Sequence, residues 1–165
     1  MSNDRPRLDI ELTARDRLIE VLSFVALGFM WIMMIRYYAL LPEVIPVHFN
    51  AAGEVDRMGS KASIWGLSIV ATVLFAGLTV INRYPHTFNY LSKITEENAL
   101  DQYTKATRMI RNLKLSLVMV FGYLQWNSIQ AALGEKDGLG MWFLPITLVM
   151  LFAPLMAYLV GLSRK

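Results

Sequence analysis

Four long apolar stretches dominate the pattern of hydrophobic and polar positions along the chain. A helix needs about 20 apolar residues to cross a hydrocarbon core of about 30 Å, and all four stretches are close to that length. Isolated strands are excluded, because their backbone groups would lie unpaired in lipid. The pattern predicts an all-α membrane protein with four transmembrane helices, at residues 18–41, 64–81, 113–133 and 139–162. Residues 1–17 are then a cytoplasmic N-terminal segment, and residues 18–165 form one transmembrane domain.

The loop between the first two stretches has a different periodicity. Residues 47–50 and 54–56 alternate between apolar and polar, and Ala51-Ala52-Gly53 connects them. Glycine at the last of three connecting residues is typical of a type I turn followed by a G1 bulge, which needs a positive φ. The loop is therefore predicted to form a small extracytoplasmic β-hairpin in which Phe49 pairs with Val55.

The other face of this hairpin gathers polar side chains. The predicted register places His48 opposite Asp56, and Asn50 opposite Glu54. Imidazole and carboxylate groups suit a cation such as zinc, or a polar ligand. The alternative is that the two pairs only stabilise the hairpin. The pattern leaves open whether a metal binds and names no cofactor.

The third stretch begins within a longer amphipathic segment. Thr95 is a predicted N-cap, followed by two glutamates that favour the positive end of the helix dipole. Apolar residues then recur every three or four positions from Leu100 to Leu117, so the third transmembrane helix should extend into the cytoplasm. We expect its basic side to lie against anionic lipid headgroups; this side comprises Lys105, Arg108, Arg111 and Lys114.

The same stretch is the most polar of the four. Ser116, Tyr123, Asn127 and Gln130 share one side of the helix, whereas Gln125 and Ser128 lie off that side. Asn127 and Gln130 fall at the depth predicted for the hairpin. No residue is predicted to be catalytic, and the candidate ligand-binding residues are His48, Asn50, Glu54, Asp56, Asn127 and Gln130.

Lysine and arginine predict the orientation, since cytoplasmic loops are enriched in both. Of the 16 such residues, four lie in the N-terminal segment, six in the second loop and two in the tail, against three and one in the other loops. Both termini are therefore predicted to be cytoplasmic. This orientation places His48 outside and His86 inside, which excludes a site that uses both histidines of one subunit.

Composition excludes several classes of function. The chain has no cysteine, so disulfides, thiolate metal sites and a cysteine nucleophile are ruled out. Its basic residues flank apolar stretches instead of forming one patch, which argues against nucleic-acid binding. No Ser/His/Asp order, HExxH motif or glycine-rich phosphate loop occurs.

The outer loop also carries a recognisable signature. Residues 41–56 read LPxxIPxHFNxxGxxD, and Lys61 follows. This run resembles a bacterial membrane-domain family of unassigned function, which also forms the N-terminal part of SdpI-type immunity proteins that protect sporulating cells from a secreted toxic peptide. The resemblance covers roughly residues 18–82. It implies a multi-pass protein of the bacterial cytoplasmic membrane, with an accessory role in immunity or signalling.

Three functions are compatible with these observations. The favoured one is a non-enzymatic membrane protein that binds a peptide, a lipid or a partner protein at its outer loop. The second is a membrane-embedded enzyme or metal-dependent protein that uses His48, Asp56 and Glu54. The third is a small transporter subunit, which would require a homo-oligomer to form a path. In each case the lipid bilayer is itself a partner.

Overall fold

The computed structural model describes residues 5–163, and Arg164 and Lys165, which contribute to the predicted orientation, lie outside this range. The chain is mostly helical, with a small antiparallel hairpin after the first helix, as predicted. In chain order the elements are α1 (Ala14–Tyr38), β1 (Val44–Phe49), β2 (Val55–Ser60), α2 (Ile64–Ile81), α3 (Ala99–Ala132) and α4 (Phe143–Ser163). Short 3-10 turns cover Lys61–Ser63 and Pro85–Thr87.

Three of the helices are long and apolar enough to cross a membrane. They are α1, α2 together with its preceding turn, and α4. The remaining helix, α3, has 34 residues and is therefore about 51 Å long at 1.5 Å per residue. Polar side chains make α3 less apolar than the other three helices, and it is not among the helices that are apolar enough to span a membrane. Its membrane span at residues 113–133 therefore stays a prediction.

Helix α1 begins four residues before its predicted start. Thr13 and Asp16 form a capping box: the Asp16 N–H donates to the Thr13 hydroxyl, and the Thr13 N–H donates to the Asp16 carboxylate at 3.0 Å. These bonds satisfy two N–H groups that have no partner within the helix. The Thr-x-x-Asp spacing is a visible signal for this start.

The predicted start of α3 at Thr95 is wrong, because the helix begins at Ala99. The Asn98 side chain accepts a hydrogen bond from the Thr95 N–H at 2.9 Å and donates to the Lys93 carbonyl at 3.0 Å. An asparagine that bonds to nearby backbone in this way stabilises a turn in competition with the helix. Thr95 therefore belongs to the turn that precedes α3.

Helix α3 is the centre of the fold, since α1, α2 and α4 all pack against it. Gln125, which is fully buried on α3, joins three helices: it donates to the Met30 carbonyl of α1 at 2.7 Å and accepts from the Ser68 hydroxyl of α2 at 2.6 Å. Helix α4 has no buried residue and presents a largely apolar outer surface. The core thus consists of α1, α2 and α3, with α4 on one side.

The expected exposure of the basic side of α3 is wrong for two of its four residues, because Arg111 and Lys114 are buried. Lys114 Nζ lies 2.5 Å from a Glu20 carboxylate oxygen, and Arg111 Nε lies 3.3 Å from the other. Arg108 Nε lies 3.2 Å from the Asp16 carboxylate. Because α1 supplies both carboxylates, Arg111 and Lys114 face α1 instead of lipid. We call these five residues the α1–α3 ion cluster.

The segment before α1 crosses the start of α3. The Arg5 guanidinium donates to the backbone carbonyls of His86, at 3.1 Å, and Phe88. The Tyr103 hydroxyl donates to the Pro6 carbonyl at 3.1 Å. Burial raises the pKa of the Tyr103 phenol, so the phenol remains a donor at neutral pH. These contacts attach the N-terminal segment to the end of the bundle that is remote from the hairpin.

Candidate functional site

The tip of the hairpin has the predicted three-residue connection. The Asn50 N–H donates to the Glu54 carbonyl, and the Gly53 N–H donates to the Asn50 carbonyl, both at 2.9 Å. Gly53 has a φ of +81°, the left-handed conformation that a G1 bulge requires. The Asn50 side chain accepts from the N–H groups of Ala52 and Glu54 at 2.9 and 3.0 Å, which fixes the turn.

The strand register is partly as predicted. Phe49 pairs with Val55, but His48 pairs with Arg57 instead of Asp56. Each strand carries one extra residue, Val47 on β1 and Asp56 on β2, and the two irregularities compensate each other. The Val47 side chain packs over Gly59, because a Cβ at position 59 would lie only 3.0 Å from the Val47 methyl groups. Alternation alone does not reveal such a pair of bulges.

The predicted side-chain pairs nevertheless form. His48 Nδ1 lies 2.6 Å from Asp56 Oδ1, and Asn50 Nδ2 donates to Glu54 Oε2 at 2.9 Å. All four residues are exposed. Since Asp56 engages Nδ1, Nε2 is the ring nitrogen of His48 that remains for a ligand.

A groove with a volume of about 470 Å³ runs beside β1. Seven consecutive residues, 45–51, line it. Successive residues of a strand point to opposite faces, so a continuous lining means that the groove follows the edge of the strand. Helical residues form the other wall: Ser63, Ile64 and Leu67 near α2, Leu124 and Ser128 of α3, and Leu139, Phe143 and Leu144 at the start of α4.

Ser128 is a polar residue of this groove that the sequence pattern does not single out. It is 5% exposed and lines the groove on the α3 side. A serine hydroxyl both donates and accepts hydrogen bonds, so Ser128 gives this wall of the groove one polar group for a bound molecule. Ser128 follows Leu124 by four residues, so the two lie on the same face of α3, and both line the groove.

Asn127 and Gln130 do not line the groove. The buried Asn127 amide donates to the Tyr123 carbonyl at 2.8 Å and accepts from Lys136 Nζ at 2.9 Å. This amide therefore binds its own helix and the loop that follows it. The structure brings His48, Asn50, Glu54 and Asp56 together on the hairpin and leaves these two amides apart from them.

The loop between α3 and α4 contacts the hairpin tip. The Leu139 N–H donates to the Gly53 carbonyl at 2.7 Å, and Glu54 forms a backbone bridge with Gly138. A Cβ at position 53 would lie 2.5 Å from the Gly140 carbonyl oxygen, so this approach requires glycine. The hairpin is thus held against the second half of the chain, beside the groove.

Within residues 5–163, no three His, Cys, Asp or Glu side chains are grouped so that they could hold a metal ion. His48 and His86 lie beyond opposite ends of α2. That helix has 18 residues, which separates the two ends by about 27 Å.

Comparison with known proteins points to the hairpin region. Residues 25–72 match the model of a family described as a domain of unknown function (DUF1648). The matched region contains the whole hairpin. An uncharacterized protein of Archaeoglobus fulgidus is 29% identical over 168 residues, which cover 92% of this chain and 90% of the relative. No solved structure matches the chain. The family match supports the resemblance at the outer loop, and the relation to SdpI-type immunity proteins stays a prediction.

Proposed function

We propose that this chain is a non-enzymatic multi-pass membrane protein that binds an extended peptide in the groove beside β1. The observation that carries the proposal is the edge of β1. Within the described part of the chain the sheet has two strands, β1 and β2, and the other edge of β1 faces the groove. An unpaired strand edge presents backbone N–H and C=O groups that another extended chain can pair with.

The proposed topology has four membrane spans, with α3 as the third and both termini in the cytoplasm. Helix α3 is long enough, and its Gln125 binds α1 and α2 instead of facing lipid. The distribution of lysine and arginine then puts the hairpin outside the cytoplasmic membrane. Single cysteines at Ala52 and Ser92, labelled from outside intact cells, test the orientation. We expect labelling at position 52 alone; labelling at position 92 alone would overturn the orientation.

The chemistry of the groove indicates which peptide would bind. Its walls are mostly apolar, with contributions from Ile64, Leu67 and Phe143, and the Ser128 hydroxyl lies on the α3 side. A strand added to β1 would present every second side chain to these apolar walls. The site therefore fits a short peptide in which apolar and small polar residues alternate. In the accessory role implied by the sequence resemblance, the ligand would be a secreted peptide.

Two synthetic hexapeptides with alternating valine and threonine test this mode of binding. One has a normal backbone, and the other carries N-methyl groups on the amides that would face β1. Strand addition uses main-chain hydrogen bonds, so we expect only the normal peptide to bind detergent-solubilised protein, measured by fluorescence anisotropy. Equal binding of both peptides would show that the groove only holds side chains and would refute strand addition.

A pair of variants tests the location. Ala51 lines the groove and Ala52 does not, although both are exposed in the same turn. We expect Ala51→Trp to abolish peptide binding and Ala52→Trp to leave it unchanged. Equal effects of the two variants would place the binding site elsewhere.

The His48–Asp56 pair favours acid–base or metal-assisted chemistry as a second candidate function. A carboxylate 2.6 Å from Nδ1 orients the imidazole and leaves Nε2 for a proton or a metal ion. Elemental analysis of protein purified without chelator or His-tag tests the metal form of this function. A stoichiometric metal that is lost in His48→Ala would support it, and equal metal content in the two proteins would refute it.

A further inference from the structure

A second groove lies at the end of the bundle that is remote from the hairpin. It has a volume of about 610 Å³ and runs between α4 on one side and α1 and α3 on the other. It exists because α4 packs on α3 and stands away from α1 at this end. This groove shares no lining residue with the one beside β1, so a ligand here is independent of peptide binding at the hairpin.

One end of the second groove is basic, with Arg15, Lys105 and Arg108 in its lining. Asp16 is also there, 3.2 Å from Arg108, while Asp101 lies 2.7 Å from Lys105. Arg15 is exposed and has no carboxylate within 4.0 Å among residues 5–163.

The charges at this end do not balance. Together with the α1–α3 ion cluster, the region has five cationic side chains, namely Arg15, Lys105, Arg108, Arg111 and Lys114. It has three carboxylates, namely Asp16, Glu20 and Asp101. The cationic side chains therefore exceed the carboxylates by two, and Arg15 is the one without a carboxylate within 4.0 Å among residues 5–163, which favours an anion beside it at the mouth of the groove.

The rest of the groove is apolar and extends along the helices. Leu115 of α3 lines it, as do Val149, Met150 and Ala153 of α4. Along α4, within the predicted span at residues 139–162, the lining runs from Val149 to Gly161, which is about 18 Å at 1.5 Å per residue. That length equals about half of the ~30 Å hydrocarbon core, or one leaflet of a bilayer.

We propose that this groove holds one anionic phospholipid. Its phosphate lies between Arg15, Lys105 and Arg108, and one acyl chain lies along Val149 and Ala153. A headgroup charge and a leaflet-long apolar chain on one molecule match the basic end and the apolar wall of the groove. In the proposed topology this lipid belongs to the cytoplasmic leaflet, but the ligand chemistry holds for either orientation.

Native mass spectrometry of the full chain in detergent tests the charge, with phosphatidylglycerol and phosphatidylcholine as matched probes. We expect a one-to-one adduct with phosphatidylglycerol in preference to phosphatidylcholine. Each of Arg15→Gln and Lys105→Gln should weaken the phosphatidylglycerol adduct about fivefold, the usual contribution of one basic residue near an anionic lipid. Arg83→Gln is the control, since it removes the same charge from an exposed position outside the groove.

A second pair of variants tests the apolar wall. Ala153 lines the groove, whereas Leu155 is exposed on α4 outside it. We expect Ala153→Trp to abolish the adduct and Leu155→Trp to preserve it. Thermal unfolding of every variant shows whether its fold is intact, and the conservative Arg15→Gln keeps the test decisive if Ala153→Trp does not fold.

Three results would overturn the proposal. Equal binding of phosphatidylglycerol and phosphatidylcholine would show that the headgroup charge does not select the lipid. Equal weakening of the adduct by Arg15→Gln and Arg83→Gln would show that any surface cation has the same effect and that the groove is not a specific site. Displacement of phosphatidylglycerol by millimolar inorganic phosphate would show a simple anion site, without a role for the acyl chain.

Discussion

Glu20→Gln should destabilise the protein more than Lys114→Met, although the two residues form one ion pair. Lys114 is 1% exposed, and beyond Glu20 it contacts the Thr79 hydroxyl at 2.9 Å and the Phe75 ring, whose centroid is 4.7 Å away. Without the Glu20 carboxylate, a buried ammonium group would have no counterion. Glu20 itself is 30% exposed at the side chain and retains Arg111 at 3.3 Å when Lys114 is removed.

These differences determine how much each variant should lower the free energy of unfolding. Loss of one partner from a buried ion pair costs about 3–5 kcal/mol, and we expect about 3 kcal/mol for Glu20→Gln because the amide oxygen still accepts a hydrogen bond. Lys114→Met keeps the volume similar and leaves a partly exposed, paired carboxylate, so we expect about 1 kcal/mol. The double variant contains no buried unpaired ammonium group, and Arg111 keeps Asp16 at 4.0 Å. It should therefore resemble Lys114→Met, which gives a coupling of about 3 kcal/mol.

Reversible unfolding in mixed micelles of increasing SDS content measures the free energy of unfolding of all four proteins. The order of stability and the size of the coupling test the reasoning separately. If Glu20→Gln were no more destabilising than Lys114→Met, or if the two effects added in the double variant, the buried Lys114 would not depend on this carboxylate.

Three further substitutions, two of them with a control variant, test other parts of the fold by thermal unfolding in detergent. Gly53→Ala and Gly140→Ala both place alanine at a positive φ near +80°, and this strain should lower the free energy of unfolding by about 1–2 kcal/mol in each variant. Only position 53 adds a close contact, so Gly53→Ala should have the lower melting temperature. Equal melting temperatures would contradict the close approach of the hairpin tip to the α3–α4 loop. Gln125→Leu should cost about 1 kcal/mol through two lost interhelical hydrogen bonds, whereas Gln130→Leu should cost less than about 0.5 kcal/mol, and similar values would refute the bridging role of Gln125. Thr13→Ala should cost about 1 kcal/mol by removing the cap of α1; an unchanged melting temperature would show that the cap contributes nothing.

The hairpin shows how far the sequence predicts local structure. Its turn is predictable from one glycine at the right spacing, since few other residues tolerate a φ of +81°. The side-chain pairs are predictable from alternation, and both form. The compensating bulges at Val47 and Asp56 depend on how the strands pack with Gly59, and a period of two contains no information on that packing.

The long helices show where sequence reasoning stops. Helical spacing groups Arg111 and Lys114 on one side of α3, but it does not tell whether that side faces lipid or protein. The answer depends on Asp16 and Glu20, which precede them by more than 90 residues. Spacing gives Gln125 and Ser128 no role for the same reason, because only the positions of α1, α2 and the hairpin show what each one faces.

The α1–α3 ion cluster has a consequence for how the chain is made. In the proposed topology, Arg111 and Lys114 enter the bilayer region after α1 has already been synthesised and inserted, because membrane segments leave the ribosome in order. Charged side chains are costly in lipid unless they are paired, and α1 already carries the two acidic groups that pair with them. In that topology we expect α1 to be needed for the insertion of α3, because a chain without α1 would lack the carboxylates that pair with Arg111 and Lys114.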